Sequence, residues 1–298
     1  MALTEAPAGW LTGHRLLLKR EDEHELGAFK WRGALPVMAG YRDRGIEQVV
    51  TVSTGNHGAA SAWAAARHGM VATVFVPEAC SETKLELLRR AGADLHQVGA
   101  DLDEAKQAAF AYARERGLPL FEDGDEPAQL GGYAAIADEI LDDLTPGAVV
   151  VPVGNGALLN GIGLRMGERA PSVRRIGVAA ARAPVMARSF AAGHVVESDS
   201  SDTFADGMAV RVAIPSAVEL LAQAADAMVE VSERRLAEAV GLLAGIDIRA
   251  EGSAAAALAG ALALGDELPD PAVLIVTGRN IDEALWRRAV EQPQTFAD

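Results

Sequence analysis

Residues 148–169 read AVVVPVGNGALLNGIGLRMGER, in which an apolar, β-branched run is followed by a glycine loop and an apolar segment with helical spacing. This order predicts a buried strand that leads through a tight turn into a helix. Backbone N–H groups at the start of such a helix can hold a phosphate, and tight packing is the other explanation for the glycines. The loop is not GxGxxG and no acidic residue follows about 20 positions later, which argues against a nicotinamide dinucleotide site.

The same strand-to-helix alternation extends along nearly the whole chain and predicts an α/β fold with a mostly parallel sheet. Gly69, Gly92 and Gly117 follow three of the helical segments, as helix-ending glycines do. The predicted strands are RLLLK (15–19), QVVTVS (48–53), ATVFV (72–76), LHQV (95–98), AVVVPV (148–153), RRIGVAA (174–180), AMVEVS (227–232) and AVLIVTG (272–278). The predicted helices are 56–68, 82–91, 102–116, 127–144, 158–169, 233–243 and 253–264.

Composition excludes several classes of protein. The 298 residues are 50% hydrophobic and 23% charged, which is a globular composition of one or two domains. A net charge of -15 argues against nucleic-acid and anionic-membrane partners. The single cysteine, Cys80, excludes an intramolecular disulfide. The amino-terminal residues lack a signal-peptide core and prolines and glycines interrupt the uncharged stretch 145–164, so we expect a cytoplasmic protein without a membrane span.

Three further segments carry groups that suit chemistry. Ser53-Thr54-Gly55-Asn56-His57-Gly58 packs polar side chains into a strand-to-helix turn, which is more than helix capping needs. Thr277-Gly278-Arg279-Asn280 is a polar turn after the last strand, and an ordinary turn explains it equally well. Lys30 lies between Phe29 and Trp31, where desolvation would favour a neutral, nucleophilic amine, although most lysines are solvated.

Taken together and in order, these segments resemble the fold-type II pyridoxal-phosphate enzymes of the tryptophan synthase beta-like superfamily, and most closely their serine/threonine dehydratase and serine racemase branch. The resemblance implies two α/β domains of mostly parallel sheet flanked by helices, with the cofactor in the cleft between them. It implies a small domain at 47–125 and a large domain from 1–46 and 126–298. The segments are LLLKRED (16–22), GAFKWRGA (27–34), STGNHGAASAWAAARHGM (53–70), ATVFVPEACSETKLELLRRAGADL (72–95), VVVPVGNGALLNGIG (149–163), TFADGMAV (203–210), AEGSAAAALAGAL (250–262) and LIVTGRNID (274–282).

The resemblance also implies roles for individual residues. Lys30 matches the lysine that forms the Schiff base with pyridoxal 5'-phosphate and later moves the Cα proton of the substrate. Asn56 matches the partner of the cofactor's phenolic oxygen, and Thr277 matches the hydroxyl residue facing the pyridine nitrogen. The other cofactor residues implied are Phe29, Gly207, Glu251 and the phosphate loop of Gly154, Asn155, Gly156, Ala157 and Leu158. Ser53, Thr54 and His57 match positions that meet the substrate.

The activity implied is β-elimination from a hydroxy or similarly substituted amino acid, which releases a 2-oxo acid and ammonia. Three alternatives stay open: β-replacement, racemisation, and a cofactor-binding protein that has lost turnover and acts as an interaction partner. Thr54 stands where racemases carry a serine, and Thr is stiffer because it is β-branched.

Other departures from the family pattern bear on substrate and cofactor. Asn155 and Ala157 replace two glycines of the phosphate loop. Arg279 is either a surface residue or a group that binds an extra anionic substituent on the substrate. Only Asp202 and Asp206 could ligate a divalent cation near TFADG, so we assign no metal. Many members of the family are homodimers, and the sequence does not identify the substrate.

Overall fold

The computed structural model describes residues 3–198 and 201–298. It divides into two compact units, the first formed by Met1–Glu23 with Tyr133–Asp298 and the second by His24–Gly132. The strands are β1 (Leu3–Glu5), β2 (Leu16–Arg20), β3 (Gln48–Val52), β4 (Val71–Val76), β5 (Asp94–Gln97), β6 (Ala148–Pro152), β7 (Arg174–Ala180), β8 (Ala227–Val231) and β9 (Ala272–Val276). The α-helices are α1 (Trp31–Asp43), α2 (Asn56–Arg67), α3 (Glu82–Arg90), α4 (Leu102–Arg116), α5 (Pro127–Asp143), α6 (Ala157–Arg169), α7 (Val185–Ala192), α8 (Pro215–Ala224), α9 (Glu233–Ala244), α10 (Gly252–Leu264) and α11 (Glu283–Glu291).

The first unit is built on a six-stranded sheet in the order β1-β2-β9-β6-β7-β8. β1 pairs antiparallel with β2, and the other neighbouring strands pair in parallel. Strands β6 and β9 are buried along their whole length, which their continuous Val, Leu and Ile runs produce. The Ala-rich helix α10 packs against β6, β7 and β9, and its residues 252–261 are buried, as expected for a core helix.

The second unit contains a three-stranded parallel sheet in the order β3-β4-β5. The segment 119–121 adds a short parallel bridge to β3, because Val50 donates its N–H to Pro119 O and accepts from the N–H of Phe121. Helix α1 packs against α2, and α4 packs against β3 and β4. Asp101 caps α4 by accepting from the N–H of Glu104, and Gly117 ends it in the left-handed conformation.

All eight predicted strands and all seven predicted helices are present, to within a residue or two at their ends. The prediction missed β1 and the helices α1, α7, α8 and α11. Helix α1 was missed because Gly33, Pro36 and Gly40 interrupt its helical pattern, and its packing against α2 compensates for them. The described residues contain no helix long and apolar enough to span a membrane.

The predicted small domain, 47–125, lies within the second unit. That unit also includes residues 24–46 and 126–132, which the resemblance assigns to the large domain. The physical reason is that α1 packs against α2, so the segment that carries Lys30 belongs to the same compact body as the 53–58 loop. The domain bounds taken from the resemblance stay a prediction.

Candidate active-site residues

Lys30 lies immediately before the first residue of α1, in a helical backbone conformation. Its Nζ atom lies 4.9 Å from the centre of the Phe29 ring, and its side chain is 16% exposed. Phe29 itself is buried. The ring of Trp31 stacks on His24 with 4.5 Å between the ring centres, which anchors the start of the helix. The amine of Lys30 is therefore largely removed from water and held beside an aromatic face.

The amine of Lys30 donates a hydrogen bond to Oδ2 of Asp123 over 2.5 Å. The other oxygen of that carboxylate accepts from Nε2 of Gln129 at 3.3 Å. Gln129 is itself fixed, because its Oε1 accepts from the N–H of Gly124 at 2.8 Å. Burial raises the pKa of Asp123, but the charges of Lys30 and His57 and these hydrogen bonds outweigh it and lower the pKa to about 2. Asp123 is therefore an anion at neutral pH.

His57, the second residue of α2, is buried beside the same carboxylate. Its Nε2 lies 3.2 Å from the carbonyl oxygen of Phe121, which can only accept, so we assign the ring proton to Nε2. Its Nδ1 lies 3.6 Å from Oδ1 of Asp123. Burial is the main cause that lowers the pKa of His57; Lys30 lowers it further and Asp123 opposes the change. His57 is therefore a neutral imidazole at pH 7.

The 53–58 loop is a tight turn that presents three polar side chains at the carboxyl end of β3. The Oγ of Ser53 accepts from the N–H of Gly55 at 3.2 Å. A Cβ on Gly58 would lie 2.6 Å from the carbonyl oxygen of Ser53, so the turn needs glycine there. Ser53, Thr54 and Asn56 are half-buried, and Asn56 begins α2. Their polar groups therefore line the same end of β3 and α2 as His57.

In the first unit, the predicted phosphate loop joins β6 to α6. Gly156 has a φ of +93°, a left-handed conformation that favours glycine, and as the N-cap residue of α6 it has no side chain to cap the helix. Asn155 Oδ1 accepts from the N–H of Ala157 at 3.1 Å. Among the described residues, Asp247 is the only non-glycine residue with positive φ, so Asn155 and Ala157 sit in the loop without backbone strain. The helix start can offer its other backbone N–H groups to an anion.

Three other loops of the first unit converge on this one. A Cβ on Gly154 would lie 2.3 Å from the carbonyl oxygen of Gly207, and a Cβ on Gly207 would lie 2.8 Å from Oγ of Ser253. Ser253 donates that hydroxyl to Glu251 at 2.8 Å. The other oxygen of Glu251 accepts from the N–H of Asn280 at 3.2 Å.

A backbone bond from the N–H of Glu251 to Gly278 O, at 3.1 Å, ties the same loops together a second time. Thr277, at the end of β9, is buried. The first unit thus gathers the phosphate loop, Gly207, Glu251 and Thr277 around one end of its sheet.

The remaining predictions have mixed outcomes. Arg279 is half-buried and Asn280 is exposed, so both predicted roles for Arg279 stay open. Asp202 is exposed and forms an ion pair with Arg182, which also donates to its backbone carbonyl. Within residues 3–198 and 201–298 no group of three or more His, Cys, Asp or Glu side chains could hold a metal ion.

Asp123, Gln129 and Ser253 were missed by the sequence analysis. The signal for Asp123 was available, because LPLFED (118–123) reads as a short apolar strand followed by acidic residues, the same pattern that located the other loops. Gln129 and Ser253 lie inside helical patterns, where nothing in the sequence separates them from other buried polar residues.

Comparison with known proteins identifies close relatives. Residues 3–278 match the family model described as pyridoxal-phosphate dependent enzyme. The chain is 35% identical over 274 residues to the L-threonine ammonia-lyase of Geobacter sulfurreducens, covering 91% of this chain and 68% of that one. It is 32% identical to the L-threonine ammonia-lyase of Thermotoga maritima over 95% of this chain and 71% of that one. The solved structure of the processed form of threonine deaminase isoform 2 from Solanum lycopersicum superposes with a TM-score of 0.89 at 31% identity, covering 94% of this chain and 83% of that one.

The residues present fit pyridoxal phosphate by their chemistry. The start of α6, with the left-handed Gly156 before it, suits a phosphate group. A buried hydroxyl at Thr277 suits a ring nitrogen, and the shielded amine of Lys30 suits an aldehyde. Lys30, Asn56 and Phe29 belong to the second unit, and the phosphate loop, Gly207, Glu251 and Thr277 belong to the first.

Proposed function

Because the chain belongs to the family of pyridoxal-phosphate dependent enzymes, we propose that it is an ammonia-lyase that converts a β-hydroxy amino acid, with L-threonine as the first candidate, into a 2-oxo acid and ammonia. The observation that carries the proposal is the shielded amine of Lys30 in a chain whose relatives over more than 90% of its length are threonine ammonia-lyases. Balanced for threonine, the reaction removes the Cα proton and the β-hydroxyl, and water then releases ammonia from the enamine product.

We propose that Lys30 holds the cofactor covalently, with Phe29 beside the ring and Asn56 at the phenolic oxygen. The backbone donors of Gly154, Asn155, Gly156, Ala157 and Leu158 would bind the phosphate, Gly207 and Glu251 would line the ring, and Thr277 would meet the pyridine nitrogen. When bound, pyridoxal phosphate supplies an electron-withdrawing ring that stabilises negative charge at the Cα of an attached amino acid. A neutral hydroxyl opposite the ring nitrogen suits elimination, since it does not enforce protonation of that nitrogen.

The chain's own residues then handle protons and orientation. Lys30, once its amine is free, is the base that takes the Cα proton, because it is the lysine placed beside Phe29 and shielded from water. Ser53 and Thr54 are proposed to bind the substrate carboxylate through their hydroxyl donors, and His57 is proposed to lie beside it. His57 contributes a neutral ring rather than a charge, because burial lowers its pKa. Arg279 is proposed to meet an anionic substituent when the substrate carries one.

We also propose a cytoplasmic homodimer whose small domain, residues 47–125, moves when substrate binds. The single cysteine supports a reducing compartment, and the family resemblance supports the dimer and the domain bounds. Light scattering on the eluting peak of a size-exclusion column measures the mass directly, against 31.1 kDa for one chain.

The test is a panel of L- and D-amino acids, including L-threonine, L-serine and threo-3-hydroxyaspartate, incubated with the cofactor-loaded protein while ammonia and 2-oxo acid are measured. We expect both products in equal amounts from L-threonine or L-serine, and none with Lys30→Ala. Interconversion of L- and D-isomers without ammonia would favour racemisation, and product only with an added thiol would favour β-replacement. A loaded protein that turns over nothing in the panel would contradict the proposed activity.

A further inference from the structure

Asp123 is the residue of the second unit that the family resemblance did not single out and that contacts the amine of Lys30 directly. Within that unit its carboxylate accepts hydrogen bonds from Lys30 and Gln129, and the ring of His57 lies beside it. Lys30 Nζ lies at Oδ2, Gln129 Nε2 lies 3.3 Å from Oδ1, and His57 Nδ1 lies 3.6 Å from the same Oδ1. The side chain of Gln129 is fixed in turn by the N–H of Gly124. The carboxylate is therefore placed by a supported network rather than by a flexible surface contact.

The ionic groups of the second unit around this amine are few. The charge of Lys30 lowers the pKa of both Asp123 and His57, and Glu122 raises the pKa of His57. His57 is neutral, since burial lowers its pKa, and Glu122 is engaged by Lys106 at 2.5 Å. Asp123 is thus the anion that balances the charge of Lys30 within this unit. An opposite charge at hydrogen-bond distance favours the protonated form of an amine.

Resting on the proposed function, we propose that Asp123 is a positioning residue for Lys30, accepting a hydrogen bond from its amine whenever the amine is released from the cofactor. The proton that Lys30 takes from Cα then stays on Nζ in a bond to Oδ2 of Asp123 and is available for return. Because the carboxylate points at the amine, it also fixes the direction of the Nζ lone pair once the proton leaves. Asp123 acts through Lys30 and needs no contact with the substrate.

The test measures the reactivity of the amine itself in the full-length chain freed of cofactor. The chain has four lysines, Lys19, Lys30, Lys84 and Lys106. Trace acetylation followed by peptide mass spectrometry therefore measures the acetylation of each lysine in a single digest. Acetylation requires the neutral amine. We expect Asp123→Asn to increase the acetylation rate of Lys30 near neutral pH by about tenfold relative to Lys84, because the carboxylate no longer holds Nζ in a charged hydrogen bond.

Two control variants test whether the effect on Lys30 depends on the carboxylate of Asp123. Asp123→Glu keeps the charge, and we expect Lys30 to stay as unreactive as in the wild type to within about twofold. Glu122→Gln removes the neighbouring carboxylate, which pairs with the exposed Lys106. We expect it to leave Lys30 unchanged and to alter Lys106 little, because exposed ion pairs are weak. These two variants also test the proposal if Asp123→Asn does not fold. A tenfold rise in the acetylation rate of Lys30 in folded Asp123→Glu or folded Glu122→Gln would overturn it.

A second arm separates this proposal from the proposed function. Added pyridoxal phosphate should protect Lys30 from acetylation in the wild type and in Asp123→Asn alike. Protection together with unchanged Lys30 reactivity in Asp123→Asn would overturn the role of Asp123 and leave the enzyme intact. Failure of the cofactor to protect Lys30 in the wild type would overturn the proposed function instead.

Discussion

A Cβ atom on Gly154 would lie 2.3 Å from the carbonyl oxygen of Gly207, so the backbones of the phosphate loop and of the 203–208 loop approach closely there. Gly207 in turn leaves no room for a side chain against Ser253. This contact sets where the start of α6 stands relative to Glu251 and the loop after β9. A single methyl group added at Gly154 is therefore enough to disturb the phosphate loop.

We therefore expect Gly154→Ala to weaken binding of pyridoxal phosphate by at least about tenfold, because one of the two backbones must move. Titration of the cofactor-free protein, followed by absorbance, measures the dissociation constant. Gly9→Ala is the matched control, since a Cβ at Gly9 meets nothing within 4 Å. Equal affinity of Gly154→Ala and Gly9→Ala would show that the loop contact does not shape the cofactor site.

Asn155 replaces a glycine of the family pattern and accepts a hydrogen bond from the N–H of Ala157. That bond fixes the turn before the helix starts. Asn155→Ala loses it, and we expect the dissociation constant for pyridoxal phosphate to rise by about three- to tenfold, the usual effect of one hydrogen bond. The same titration measures it. Tighter binding by Asn155→Ala would mean instead that the Asn side chain competes with the phosphate for the amide.

Glu251 joins the start of α10 to the loop after β9 through Ser253 and Asn280. Glu251→Ala leaves a buried hydroxyl and a backbone N–H without that acceptor. We expect the free energy of unfolding in urea to fall by about 1–3 kcal/mol, together with weaker cofactor binding. Glu283→Ala, which removes a glutamate paired with Arg249 and Arg287 at the surface, is the control with a smaller expected effect. An equal loss in both variants would contradict the linking role of Glu251.

The pair of Asp123 and Lys30 predicts a specific acid dependence of stability. The pKa of Asp123 is lowered from 3.8 to about 2 in the folded chain, so its contribution is present above pH 3.8 and is lost as the pH falls toward 2. We expect the wild type to exceed Asp123→Asn by roughly 2 kcal/mol near pH 5, with a gap that shrinks on acidification. Urea unfolding of both proteins across this range checks it. A gap that stays constant from pH 5 to pH 3 would show that the carboxylate gains nothing from its ionisation.

Much of this architecture was predictable because buried parallel strands and tight loops need particular residues, which can be recognised in the sequence. Strands β6 and β9 are continuous apolar runs, and Gly154 and Gly58 stand where backbones approach closely. Helix α1 was not predictable, since glycine and proline weaken its pattern and its stability comes from packing on α2. The role of Asp123 was not predictable either, because it depends on contacts between distant positions: Lys30 and His57 are 93 and 66 residues away in the chain.

The central claim is that Lys30 carries the cofactor, and reduction of the loaded protein with borohydride tests it most directly. The reaction leaves a stable phosphopyridoxyl group on the lysine that was linked, and peptide mass spectrometry finds it among the four lysines. We predict that the group is on Lys30. A group on Lys19 would be the most informative contrary result, because Lys19 is fully buried and pairs with Glu139 in the first unit. A group on Lys19, or on no lysine at all, would contradict the account.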